Sequence, residues 1–124
     1  MPLTCLIVDD SSEFFEAARQ LLADDEIIVI GFAATSEQAV NETLALRPDV
    51  ALVDINLGTE SGVDVAQRLA ELPHGGPPVV LISAESGSEL AELVDASGAR
   101  GFVSKTDLSG DAIRKLLTHD GTEG

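Results

Sequence analysis

The chain has 124 residues, a length that fits one domain with a sizeable core, and it is 44% hydrophobic but only 3% aromatic, so that core must be built from Val, Leu, Ile and Ala. Twenty-two acids against 7 bases give a formal charge of −15. That charge argues against nucleic acid or an anionic membrane as a direct partner, because phosphate-rich polymers bind basic patches, and it favours a cation or a basic protein surface. The single cysteine, Cys5, excludes an internal disulfide and reads as a small buried hydrophobe. No apolar run approaches the ~18–20 residues of a membrane helix, and no signal peptide precedes the first apolar run, so the chain reads as cytoplasmic.

Five short, β-branched-rich runs punctuate the sequence. The first is Leu3–Val8, followed by "DDSSE" at 9–13 and a helical stretch with Phe14, Ala18, Leu21 and Leu22 on one face. The second is Ile27–Ala34, then a helix with Val40, Thr43 and Leu44 on one face, stopped by "RPD" at 47–49 because the residue before proline avoids the helical region. The third is Val50–Val53, with Asp54 at its end, then a helix with Ala66, Leu69 and Ala70 aligned and a loop, "PHGGPP", at 73–78. The fourth is Val79–Ile82, followed by capping-box spacing in "SGSE" at 86–89, a helix face of Leu90, Leu93 and Val94, and Gly98 as a C-terminal cap. The fifth is Gly101–Val103, ahead of a helix with Ile113, Leu116 and Leu117 together. The last residues, "THDGTEG", look frayed. Uninterrupted apolar strands alternating with amphipathic helices predict a doubly wound, five-stranded parallel α/β sheet.

Ligands of such sheets collect outside the carboxyl ends of the strands. Asp9 and Asp10 follow strand one, Asp54 ends strand three, Ser83 follows strand four and Lys105 lies just past strand five, whereas strand two ends in uncharged Thr35-Ser36. With the order 2-1-3-4-5, the four strands that carry these groups are contiguous. Each group has an ordinary reading: "DDSSE" as a helix start with Asp10 as N-cap, Asp54 as a loop acid, Ser83 as a turn residue, Lys105 as a surface lysine. Their convergence at neighbouring strand ends is what singles them out. Three carboxylates in one place repel one another unless a cation intervenes. Asp9, Asp10 and Asp54, with a backbone carbonyl from the loop after Asp54, are hard oxygen ligands suited to Mg²⁺. With the metal bound, Asp54 becomes a carboxylate nucleophile for a phosphoryl group whose oxygens Lys105 and the Ser83 hydroxyl would hold.

The motifs "LIVDD" at 6–10, "PDVALVDINLG" at 48–58 with Gly62 following, "VVLISA" at 79–84 and "GARGFVSK" at 98–105 occur in this order and spacing. Together they make residues 3–118 resemble a response-regulator receiver domain of two-component signalling, the family of the chemotaxis response regulator. The resemblance implies a flavodoxin-like (βα)5 fold in a single domain over 1–124, with Asp54 as phosphoacceptor. It implies Asp9 and Asp10 as the acidic pair and the Asn56 carbonyl as a further Mg²⁺ ligand. Ser83 would be the hydroxyl switch, Phe102 the aromatic switch and Lys105 the phosphate-binding lysine. The expected phosphodonor is a sensor histidine kinase or a histidine phosphotransfer protein. The domain is expected to catalyse only its own phosphorylation and dephosphorylation, as a monomer or a phosphorylation-dependent dimer. Its output partner is unknown, and "GFVSKTDLSGDAIRKLL" resembles receivers that carry a helix-turn-helix domain downstream.

Two positions depart from the family pattern: Leu57-Gly58 stands where Met-Pro is common, and Thr106 follows Lys105 where many members have a cis proline. A non-proline cis bond costs ~3–4 kcal/mol, so a trans bond is expected there. A haloacid-dehalogenase-like phosphatase would also use a strand-end aspartate with Mg²⁺, but it needs a second aspartate two residues on. Asn56 stands there and offers no titratable proton. A flavin carrier would want phosphate-cradling glycines after strand one, and aromatics; Trp and Tyr are absent. His74, in the Pro/Gly loop, and His119, in the tail, read as surface residues.

Overall fold

The computed structural model describes residues 2–58, 60–73, 75–84 and 89–118, the side chains at 89–91 and 93 excepted. Its strands are β1 (Leu3–Val8), β2 (Ile27–Ala33), β3 (Val50–Asp54), β4 (Asn56–Leu57), β5 (Glu60–Ser61), β6 (Val79–Ser83) and β7 (Gly101–Ser104). Its helices are α1 (Ser12–Ala23), α2 (Ser36–Leu46), α3 (Gly62–Ala70), α4 (Glu89–Ser97) and α5 (Gly110–Thr118), with a 3₁₀ turn at Lys105–Asp107. The five longer strands form one sheet in the order β2-β1-β3-β6-β7, every pair parallel. This is the expected 2-1-3-4-5 arrangement of a flavodoxin-like sheet. The sequence reading did not anticipate β4 and β5, a small antiparallel ladder just beyond Asp54.

Alternation along each strand divides the core in two. Cys5, Ile7, Val50, Leu52, Val80, Ile82 and Val103 point to the side covered by α1 and α5, where they meet Ala18, Leu22 and Ile113. Leu6, Val8, Ala51, Val53, Val79 and Leu81 point to the other side and meet Ala39, Val65, Ala66 and Leu69 of α2 and α3. Burial of Cys5 pushes its thiol pKa up to about 12, against a weaker lowering by a hydrogen bond with the Leu52 backbone, which keeps it an unreactive apolar side chain.

Three helix-face assignments need correction. Leu21 is 43% exposed, because Ala18 and Leu22 define the buried stripe of α1 and Leu21 falls on its margin. Leu44 is 54% exposed: α2 buries Ser36, Ala39 and Thr43, with Val40 packed at the margin of the same core, so of the expected face Thr43 and Val40 meet the core and Leu44 falls outside it. Ala70 is exposed, since α3 buries Val65, Ala66 and Leu69. The edge strand β2 is only partly covered, with Ile28 half-exposed. Arg47 ends α2 in the left-handed region and its N–H donates to Thr43 O, so the stop falls just ahead of Pro48, as "RPD" suggested. Gly98 follows α4 at φ +79° with its N–H on Val94 O, the expected C-terminal cap. Of the capping box at 86–89, residues 86–88 and the Glu89 side chain lie outside the described residues, as do the Leu90 and Leu93 side chains, His74 and the tail from His119.

Candidate functional site

Strand register brings the site together. Val8 pairs with Val53, which sets Asp9 beside Asp54; Asp54 pairs with Ile82, one residue before Ser83; and Ser83 pairs with Ser104, one residue before Lys105. The four positions thus form a row across the carboxyl ends of β1, β3, β6 and β7. Asp9, Asp54 and Ser83 are all buried.

Each carboxylate is held by backbone and by charge. Ser11 N–H donates to Asp9 Oδ1 at 2.9 Å, and Asn56 N–H donates to Asp54 Oδ1 at 3.0 Å. Lys105 Nζ lies 2.8 Å from Asp9 Oδ2 and 3.1 Å from Asp54 Oδ2, bridging the two remaining oxygens. Burial pushes the Asp54 carboxyl above its ordinary pKa. Its hydrogen bond from Asn56 and the nearby Lys105 pull the other way, and the Asp9 charge adds to the rise. For Lys105, burial alone would lower the ammonium, but Asp9 and Asp54 together outweigh it and hold the pKa above the ordinary lysine value. One lysine therefore compensates two buried acids.

Asp10 is exposed, yet its carboxylate oxygen and those of Asp9 and Asp54 all lie within 4.8 Å of one another. Asp9 Oδ2 is buried and is met by the Lys105 ammonium. A hard, acceptor-only donor set of three converging carboxylates that share one lysine suits a divalent oxygen-seeking ion such as Mg²⁺. The N-cap of α1 is Ser11, not Asp10: its Oγ accepts Phe14 N–H at 3.2 Å, which leaves Asp10 free to face the cluster.

The loop beyond Asp54 is shaped by two glycines. Gly58 sits at φ +77°, a conformation open to glycine and closed to the proline of the common family pattern, and it brings the loop toward Asp10 Oδ2. Gly62 starts α3 so close beneath β3 that a Cβ there would lie 2.0 Å from Asp54 O, and its N–H donates to Ile55 O at 3.0 Å. All peptide bonds among the described residues are trans, Lys105–Thr106 included. In place of a proline, Ser104 Oγ caps the 3₁₀ turn by accepting Thr106 N–H at 3.3 Å.

Phe102 is half-buried and packs with Val94 and Ala99 against the α3 side of the core, apart from the charged row. Two features escaped the sequence reading. Phe14 lies under Lys105, the ammonium 4.4 Å from its ring centroid. Glu60 of β5 clasps the start of α2, accepting Ser36 N–H and Oγ–H at 2.7 Å each, and these bonds lower its pKa. The Phe14 contact had only the helical position of that residue as a signal; the Glu60 clasp had none.

A doubly wound parallel sheet with buried acids and a lysine gathered at its carboxyl edge defines a class, and the comparison with known sequences narrows it. Residues 5–118 match the response regulator receiver domain, and the chain belongs to that family. Over 108 residues it is 32% identical to a protein-glutamate methylesterase/protein-glutamine glutaminase of Pseudoalteromonas translucida, a match covering 85% of this chain and 27% of that one. Over 105 residues it is 26% identical to the DNA-binding transcriptional activator EvgA of Escherichia coli, covering 85% and 51%. The crystal structure of the signal receiver domain of a modulated diguanylate cyclase from Desulfovibrio desulfuricans G20 aligns with a TM-score of 0.78 at 28% identity, covering 97% of this chain and 94% of that one. The chain thus spans about a quarter to a half of the length of these two curated relatives. Among the described residues no helix is long and apolar enough to cross a membrane.

Proposed function

We propose that this chain is a phosphoacceptor receiver that takes a phosphoryl group from a phosphohistidine, on a sensor histidine kinase or a histidine phosphotransfer protein, onto Asp54. The observation that carries this reading is the bridging of buried Asp9 and Asp54 by Lys105, at 2.8 and 3.1 Å, at the carboxyl edge of the sheet. A carboxylate oxygen of Asp54 attacks phosphorus, the P–N bond breaks, and its electron pair returns to the donor imidazole. The ammonium of Lys105 then leaves the carboxylate for a phosphoryl oxygen, and the Ser83 hydroxyl donates to another. Asp9, Asp10, Asp54 and the Asn56 carbonyl would hold Mg²⁺, which when bound neutralises charge on the phosphoryl oxygens. Water later cleaves the acyl phosphate and restores Asp54. In this reading the domain turns over no external metabolite, acts in the cytoplasm, and signals as a monomer or a phosphorylation-dependent dimer.

Readout follows from Ser83. Its movement toward the phosphoryl group opens room beside β7, and Phe102 turns inward from its half-buried place at the edge of the core, reshaping the α4–β7–α5 face for an output partner. The shift is no larger than the difference in phosphate's interaction with the two states.

Acetyl phosphate with Mg²⁺ is expected to add one acid-stable, base-labile phosphoryl group, and Asp54→Asn to abolish it. Mass spectrometry that places the phosphate on Ser83 or a histidine overturns the assignment. For the switch, ¹⁹F NMR of fluorinated phenylalanine with and without beryllofluoride should show a Phe102 response that Ser83→Ala weakens. Equal responses in the two proteins would remove Ser83 from the coupling.

A further inference from the structure

We propose that Phe14 is a positioning residue for Lys105: the face of its ring holds the ammonium where it meets Asp9 and Asp54, ready for the phosphoryl group that the reading above brings to Asp54. The proposal rests on that reading for its chemical consequence, but its geometry stands apart from it. Lys105 Nζ lies 4.4 Å from the ring centroid while 2.8 and 3.1 Å from the two carboxylates. The ammonium thus has anionic oxygens on one side and the negative face of an aromatic ring on another.

A lysine needs such a wall. Its charge sits at the end of a four-carbon stem with many rotamers, and this side chain is 20% exposed, so water competes for the ammonium. An aromatic face attracts a cation through its quadrupole while its apolar body displaces solvent. A leucine in the same place would displace water but attract nothing.

The ring is itself fixed by the acids it serves. Ser11 N–H donates to Asp9 Oδ1, and Ser11 Oγ accepts the N–H of Phe14, so one capped turn of α1 ties the ring's backbone to the carboxylate that Lys105 contacts. Phe14 also packs against the α1–α5 core. From the opposite direction, the Ser104 cap on the 3₁₀ turn fixes the backbone at Lys105, with the Ser104 and Thr106 hydroxyls 2.8 Å apart. With both ends of the contact anchored, the ammonium can pass from carboxylate to phosphoryl oxygen without leaving the ring.

The test compares wild type with Phe14→Leu, Phe14→Tyr and a protein carrying pentafluorophenylalanine at position 14, which keeps the ring's shape but reverses its quadrupole. In the unphosphorylated protein, the Lys105 ε-CH₂ protons should be shifted upfield by the ring current. Phe14→Tyr should keep that shift and Phe14→Leu should lose it. With acetyl phosphate and Mg²⁺, the initial rate of Asp54 phosphorylation should fall roughly three- to tenfold in Phe14→Leu and in the fluorinated protein, the scale of a half-buried cation–π contact, and stay near wild type in Phe14→Tyr. Thermal melts check folding, and if Phe14→Leu does not fold, the fluorinated protein carries the comparison alone. Absence of the upfield shift in wild type, or a fluorinated protein as fast as wild type, overturns the proposal. If wild type takes no phosphate at Asp54 the parent reading fails instead, and the Lys105 resonance still decides whether Phe14 holds the ammonium.

Discussion

The two ends of β1 and β3 use aspartate in opposite ways. At the amino end, exposed Asp49 accepts Thr4 N–H at 2.9 Å and Thr4 Oγ–H at 3.1 Å through Oδ2, and its own N–H returns to Thr4 O at 2.9 Å. That acid is solvated, locally satisfied, and fixes the register of two strands. At the carboxyl end, Asp9 and Asp54 are buried, crowd Asp10, and share one lysine. The first arrangement is complete in itself. The second sets three carboxylates against one lysine, so its negative charge is not balanced within the cluster.

The most damaging way to test the difference is to press on the backbone at the charged end. Gly62→Ala drives a Cβ to 2.0 Å from Asp54 O, where no side chain can yield because the obstacle is backbone. Overpacking of this kind is expected to cost about 3 kcal/mol and to appear as a lower urea midpoint. An unchanged midpoint would mean that α3 can back away from β3 at no cost, and that the close approach does not hold the Asp54 loop.

Next in size is the response to metal. If the three carboxylates form a Mg²⁺ site, a concentration tenfold above the dissociation constant should stabilise the fold by about 1.4 kcal/mol. Asp10→Ala should lose most of this gain, whereas Asp49→Ala should keep it entire, because its carboxylate belongs to the other end. A melting temperature indifferent to millimolar Mg²⁺ in wild type would remove the shared site.

The sequence carried the sheet and the charged row because both are written in local pattern. Continuous apolar runs locate strands to within a residue: Leu3–Val8 is reproduced, Asp54 ends its strand as expected, and Ser83 proves to be the last residue of a strand expected to end at Ile82. The strand order then brings Asp9, Asp54, Ser83 and Lys105 together, since neighbouring ends must converge. What pattern could not reveal depends on side-chain reach and on helix rotation. The buried stripe of α2 is made of Ser36, Ala39 and Thr43, of which the apolar spacing marked only Thr43; Ser36 and Ala39 do not stand out beside Val40 and Leu44. Ser11 competes with Asp10 for the cap at the same point in the chain, and only the direction of its Oγ decides. The meeting of Phe14 with Lys105 spans 91 positions and leaves no periodic trace.

The finest test of the comparison is one of sign. Asp49→Ala removes two accepted hydrogen bonds at an exposed site and should cost about 1 kcal/mol. Asp54→Asn should do the reverse and stabilise the protein at neutral pH. The effect is expected to be the smallest, because the rise that burial and Asp9 impose on the Asp54 pKa is partly offset by the Asn56 N–H and by Lys105. Its pH dependence follows from direction alone. The folded pKa lies above the ordinary value of 3.8, so the folded state takes up the proton more readily than the unfolded chain. The stability due to protonated Asp54 is fully present below pH 3.8 and is lost as pH rises through the folded pKa. Above that point the ionised carboxylate is a liability that asparagine does not share, while Lys105 keeps Asp9 at 2.8 Å as its partner. Urea denaturation without metal should therefore show Asp54→Asn above wild type at neutral pH, with the gap closing on acidification. A variant less stable than wild type at neutral pH would mean that the Lys105 pairing outweighs burial, and that the two ends of the sheet differ in geometry but not in kind.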